Sequence, residues 1–450
     1  MKLGNFFAAI FAVSLLAPVF TANGQGKSFD TRAEAAAVAP QYRILDIGVV
    51  QAGDSSQGMR SSTNGSGVGR SLRSNGSTAF LWSKDGGLSA LTNFTGRSYC
   101  VSNGANTLGF VVGTCSTTFA GSGRLPIVWQ NGIPAQLTLP SGQTLGDAND
   151  INDSGVAVGS ANSGSQQIAV IYSNGTGTSL SQTTLGGAFF RTAFAINNAG
   201  RIVGTGVDPN NAARNVGMVY DIGSSSAFEV GALPNANGAL AYDVSSTGYV
   251  VGASMQNQGF GRPFIWSDAN GISEIPLPAG TTQGSARAVN SAGWAVGTAS
   301  STFAIPFLYD GAATYRIQDL LPAGSGWDVS TNTSSSAQGI SDDGVIIGTG
   351  VLGGQVHAYA MIPVVNVSVG GRIVSNKGAG ISGAVVTISG GNLQVPMVTQ
   401  TGNFGYYNFD GLQSGQTYTV SVSARRANFS PATQAVTPQG NIGDLNFISQ

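Results

Sequence analysis

The chain has 450 residues, of which only 9% are charged, and its formal net charge is −1. Charge so sparse and so balanced gives no electrostatic stripe for a nucleic-acid backbone or an anionic membrane, and those partner classes are not expected. The 66 glycines, with frequent Ser, Thr, Asn and Val, suit many short strands joined by tight turns, and the 42% of apolar residues recur in short alternating runs that argue against disorder.

In chain order, Lys2 precedes an apolar stretch from Phe6 to Phe20 and small residues ending Ala22-Asn23-Gly24. That pattern predicts an export signal at 1–24, cleaved after Gly24, and a secreted or cell-surface protein. The stretch is about 15 residues where a spanning helix needs ~20, so no membrane insertion is expected after signal removal. Residues 25–41 read as a linker.

Residues 42–362 repeat. ANDINDSGVAVGS (148–160), AFAINNAGRIVGT (193–205), AYDVSSTGYVVGA (241–253), ARAVNSAGWAVGT (286–298) and AQGISDDGVIIGT (337–349) align without a gap, and two eroded copies precede them. Their closing glycines are Gly69, Gly113, Gly159, Gly204, Gly252, Gly297 and Gly348, spaced by 44, 46, 45, 48, 45 and 51. Each copy reads as a hairpin whose turn glycine, such as Gly155, takes a positive φ. A third strand follows each, typified by AFLW (79–82) and PFIW (263–266), and a fourth follows the first six, as in Leu137–Pro140. Tyr42–Val50 resembles those fourth strands and is expected to complete the last sheet. A repeat of this length and content predicts an all-β, seven-bladed β-propeller; an open solenoid is the alternative.

The repeats resemble the HAF family of bacterial extracellular repeats, most clearly at 193–205 and Ala79–Trp82. After Pro363 the period stops. Residues 367–450, with Gly402-Asn403-Phe404-Gly405-Tyr406 and Tyr418–Val422, resemble carboxypeptidase regulatory-like domains, which implies a small transthyretin-like β-sandwich. That family often has Asp two residues before the motif's glycine, where this chain has Gln400, so no ion or carboxylate role carries over. A Lys-Asn isopeptide cross-link of the kind found in related sandwiches is not expected, since Lys377 is the domain's one lysine and it has no glutamate.

Cys100 and Cys115 fall on the two arms of one predicted hairpin in an exported chain, so a disulfide is expected, two free buried thiols being the alternative. His357 is the single histidine, with no nucleophile in sight, and glutamates occur at 34, 229 and 274 alone. The acidic turn at Asp147, Asn149, Asp150, Asn152 and Asp153 does not have EF-hand spacing, and Ser341-Asp342-Asp343-Gly344 is one residue short of an Asp box. No metal or cofactor is implied. Trp82, Trp129, Tyr172, Tyr220, Trp266 and Tyr309 hold equivalent positions and read as stacking between blades rather than a sugar platform.

The loop from Pro322 to Ala337 is seven residues longer than its counterparts and contains Trp327, a candidate ligand contact whose alternative role is to cover the end of the sheet. The sequence therefore points to a non-enzymatic extracellular binding scaffold for a protein or glycan. The alternative is a carbohydrate-active or other propeller enzyme in which aspartates of several blades converge on the axis.

Overall fold

The computed structural model describes residues 39–164, 166–255 and 261–450, without the side chains of Ala212 and Ala213. The expected export signal at 1–24 and all but the last three residues of the expected linker lie outside the described residues. Among those described, every regular element is a strand apart from one 3-10 turn at Ile317–Leu320.

Strand pairing from Tyr42 to Pro363 divides the described residues into seven antiparallel units, six of four strands and a last one in which the two-residue strand Trp327–Asp328 is a fifth. The first six run inner, second, third and outer strand in chain order, as in Leu145–Ile151, Ala157–Ser163, Gln166–Ser173 and Thr176–Ser179 of the third. The inner strand of each unit touches that of the next, and the seventh touches the first, so the units close into a propeller and are blades of it. The last blade takes its outer strand from the N-terminal side: Tyr42–Asp46 pairs antiparallel with the strand Gln355–Pro363, Tyr42 opposite Pro363 and Asp46 opposite Tyr359. The closure expected of this segment is observed, and it leaves neither end of the ring as an open edge.

The repeat motif has a steric explanation. In every blade the inner strand carries a β-bulge, at Met59, Asn103, Asn149, Phe194, Tyr242, Arg287 and Gln338 in turn. The closing glycine of the repeat lies across from it on the second strand. A Cβ at any of the seven would overlap an inner-strand carbonyl oxygen, that of Asp147 for Gly159 and of Thr192 for Gly204. The periodic glycine is thus the partner of the bulge. The hairpin turns behave as expected, with Gly155 at φ +77°.

Between blades the third-strand aromatics are packed as expected: Trp82, Trp129, Tyr172, Tyr220 and Trp266 are buried, and Tyr309 is half-buried. Cys100 and Cys115, directly paired across the second blade's hairpin, form a disulfide.

Two residues, Val364 and Val365, separate the last blade from a β-sandwich. One of its sheets pairs Asn366–Val374 with Tyr406–Gln413 and Phe447–Ile448. The other orders Met397–Gln400, Val385–Gly390, Tyr418–Ser423 and Thr433–Val436. Val367, Val386, Phe409, Tyr418 and Phe447 form its core.

Candidate functional site

A bulge places two successive residues against one partner and turns the strand, so each inner strand presents an adjacent pair toward the axis. The first members, Met59, Asn103, Asn149, Phe194, Tyr242, Arg287 and Gln338, together with Arg60, line a hollow of about 200 Å³ at one mouth of the channel. The second members are Arg60, Gly104, Asp150, Ala195, Asp243, Ala288 and Gly339. Here one long side chain meets two acids among small residues. A Cβ at Gly104 would crowd Asp150, and one at Gly339 would overlap the backbone at Ser61.

Arg60 spans this layer. Its Nη1 lies 2.7 Å from Asp243 Oδ1 and 3.3 Å from Asp150 Oδ2, and its Nη2 donates to the carbonyl oxygens of Phe194 (3.3 Å) and Tyr242 (3.5 Å). Each carboxylate is also engaged by the blade beyond it: Ile196 N–H donates to Asp150 Oδ2 at 3.0 Å, and Val289 N–H to Asp243 Oδ2 at 2.9 Å. The three side chains are only 11–16% exposed. Burial pushes the Asp150 carboxyl up to about 6 against the opposing pull of Arg60, and the Asp243 charge adds to the rise. Burial raises Asp243 as well, again opposed by Arg60. One cation thus serves two carboxylates, and the layer as a whole is short of positive charge.

Arg60, Asp150 and Asp243 also border a second hollow of about 70 Å³ on the opposite, turn side of the axis. That side is built by the Asn of the repeat. Asn152 Oδ1 accepts from Val156 N–H within its own turn, and its Nδ2 donates to the carbonyl of Asn197 in the next blade. Asn106, Asn197 and Asn290 do the same toward Asn152, Ser245 and Ser341. The Asn that recurs at 106, 152, 197 and 290 is therefore a blade-to-blade tie.

The five Asx residues of the acidic turn diverge. Asp147 pairs with Arg124, Asp150 with Arg60, and Asp153 with Asn198, while Asn149 and Asn152 donate to carbonyls of the fourth blade. Among the described residues no group of three or more His, Cys, Asp or Glu side chains is placed to hold a metal ion. His357 Nδ1 is 3.0 Å from both Asp46 carboxylate oxygens, on the seam where the closing strand joins the last blade.

Trp327, expected as a candidate ligand contact, is a packing residue. It is 7% exposed, edge-on to Tyr359 at 5.8 Å, and sits in a two-residue strand opposite Leu352. Asp328 beside it folds the loop back. Burial raises its carboxyl, but hydrogen bonds from the Thr331 hydroxyl and the Ser330 and Thr331 N–H groups outweigh this and hold it at about 2. The loop does reach the binding-sized space by its far end: Thr333–Ser336 border a groove of about 560 Å³ that opens beside the bulge-lined mouth.

Sequence reasoning passed over the axial ring, although its signal is present. In the aligned repeats the residue after the first Ala varies as Asn149, Phe194, Tyr242, Arg287 and Gln338 while its flanks recur. That variable column, lying between the repeat's first Ala and the small or acidic residue after it, is the mouth.

Residues 368–448 match the family of carboxypeptidase regulatory-like domains. A search of curated proteins gives no match. Among solved structures the chain is similar to TolB from Acinetobacter baumannii, at 11% identity and a TM-score of 0.40 over 67% of this chain and 64% of that one. It is also similar to YCF48 bound to D1 peptide (12% identity, TM-score 0.43, 72% of this chain and 96% of the other) and to a streptogramin B lyase (11%, 0.43, 71% and 98%). The chain spans less than two thirds of the length of TolB. At 11–12% identity and TM-scores of 0.40–0.43 these likenesses carry nothing about activity. No helix among the described residues is long and apolar enough to cross a membrane.

Proposed function

We propose that this chain is a non-enzymatic, secreted or cell-surface binding scaffold of the HAF type, whose binding face is the bulge-lined mouth of the propeller, with the sandwich as a spacer or second contact module. The repeat wording at 193–205 supports the HAF assignment, and the disulfide suits an oxidising location. The observation that carries the reading is the state of the axial carboxylates. Asp150 and Asp243 are bound to Arg60 and to backbone N–H groups, so neither is presented as an acid, base or nucleophile. The mouth above them offers recognition groups instead. Phe194 and Tyr242 lie ring to ring at 5.5 Å, and Arg287 lies over Tyr242 at 4.3 Å, amid the Asn and Gln amides of other blades.

The test is a binding screen of the full chain against glycans and extracellular proteins, repeated with Tyr242→Ala. Binding weakened at least 10-fold by that change, with unaltered melting, supports the reading. A turnover activity that Asp150→Asn lowers 100-fold or more would replace it with the channel-centred enzyme.

A further inference from the structure

The groove of about 560 Å³ beside the mouth is walled by residues of the first, sixth and seventh blades, and its lining includes two arginines and no acidic residue. Both arginines are oriented by neutral groups. Arg70 Nε and Nη2 donate to Gln57 Oε1 at 2.9 and 2.8 Å, and its guanidinium lies 5.1 Å from the Phe119 ring. Arg287 is held over Tyr242. Among the described residues no carboxylate is within ion-pairing distance of either, whereas the half-buried Arg201 and Arg214 each bind two.

A half-buried cation held in place without a counter-charge has lost part of its hydration and gained no ion pair, so a fitting anion restores what burial removed. The fall of Arg70 below its usual value through burial has the same origin. The rest of the lining is mostly hydroxyl and amide, from Ser and Thr side chains with Gln57 and Gln338. The Thr298 hydroxyl is shielded from solvent and has no hydrogen-bond partner.

Building on the reading of this mouth as the binding face, we infer that the groove takes an acidic oligosaccharide, with Arg70 and Arg287 receiving its carboxylates and the Ser, Thr and Gln wall its hydroxyls. An acidic peptide would call for apolar anchor pockets, and the groove's one large apolar side chain is Met59. Ring hydroxyls of a sugar match the wall group for group, and the planar guanidinium fork matches a uronate carboxylate.

The experiment is calorimetric titration of the full chain with an oligogalacturonate, its methyl-esterified and therefore uncharged counterpart, and poly-glutamate. The acid form is expected to bind at least 10-fold more tightly than the ester. Arg70→Gln and Arg287→Gln are each expected to weaken it about 10- to 100-fold, the range of a lost charged hydrogen bond, with unchanged melting. Equal binding of acid and ester, unaltered affinity in both variants, tighter binding of poly-glutamate, or no binding of the acid form each overturns the inference. If acid and ester bind equally and Tyr242→Ala abolishes both, the acidic class fails while the mouth stands as the binding face. If binding persists through Tyr242→Ala and both arginine changes, the mouth fails with it.

Discussion

Replacing Arg60 with methionine leaves Asp150 and Asp243 on the propeller axis with no cation. Both carboxylates are about 11% exposed, and the side chain removed is their shared partner at 2.7 and 3.3 Å. Breaking a buried ion pair from one side costs about 3–5 kcal/mol, because the charges left behind stay desolvated. The cost depends on pH, and its sign follows from the proton. In the intact protein the Asp150 carboxyl is raised from 3.8 to about 6, so the folded state holds a proton more tightly than the unfolded chain. Its contribution is complete below pH 3.8, is lost as pH rises through about 6, and amounts to about 3 kcal/mol. Without Arg60 both carboxyls rise further. Denaturation of Arg60→Met should therefore show the full penalty at pH 8 and a much smaller one at pH 5, where the acids are protonated. Adding Asp150→Asn and Asp243→Asn should restore most of the stability at pH 8. Equal penalties at pH 5 and pH 8, or none at pH 8, would refute the account of Arg60 as the neutralising centre.

Deleting residues 42–46 removes the outer strand of the last blade and should lower the thermal midpoint by several degrees or more; an unchanged melting curve would contradict closure by this segment. Trp327→Ala should cost about 3–5 kcal/mol of stability without altering any ligand's affinity, since the indole is packed against Tyr359; weakened binding at constant stability would return it to the role of a contact. Changing both Cys100 and Cys115 to serine opens a loop of 15 residues and should cost about 3 kcal/mol by denaturant titration; an unchanged midpoint would contradict a stabilising role for the bridge.

What was legible in the sequence was whatever repeats. The closing glycines recur because each faces an inner-strand carbonyl two residues before the bulge, and the turn Asn recurs because at 106, 152, 197 and 290 it ties its turn to the next blade. The segment 42–50 was legible as the missing strand because the last copy lacks one. What was not legible was whatever one blade supplies alone. Arg60 lies in the most eroded repeat, at a position held elsewhere by Gly, Asp or Ala, and its partners are 90 and 183 residues away. The mouth was hidden differently: variation within an otherwise regular column looks like drift until the bulges show that all seven side chains face one space. Trp327 misled because an added loop and an aromatic residue suggest recognition, whereas Asp328 turns that loop back and the indole closes the end of the sheet.

Ligands are expected to meet this protein at the bulge-lined mouth. Hydrogen exchange of the full chain, with and without the ligand recovered by the binding screen, tests this most directly. Protection is predicted in peptides carrying the inner-strand bulges, above all those around Phe194, Tyr242, Arg287 and Gln338, and in the Thr333–Ser336 segment. Protection confined to residues 366–450, or to the turns around Asn106, Asn152 and Asn197 on the opposite mouth, would contradict it.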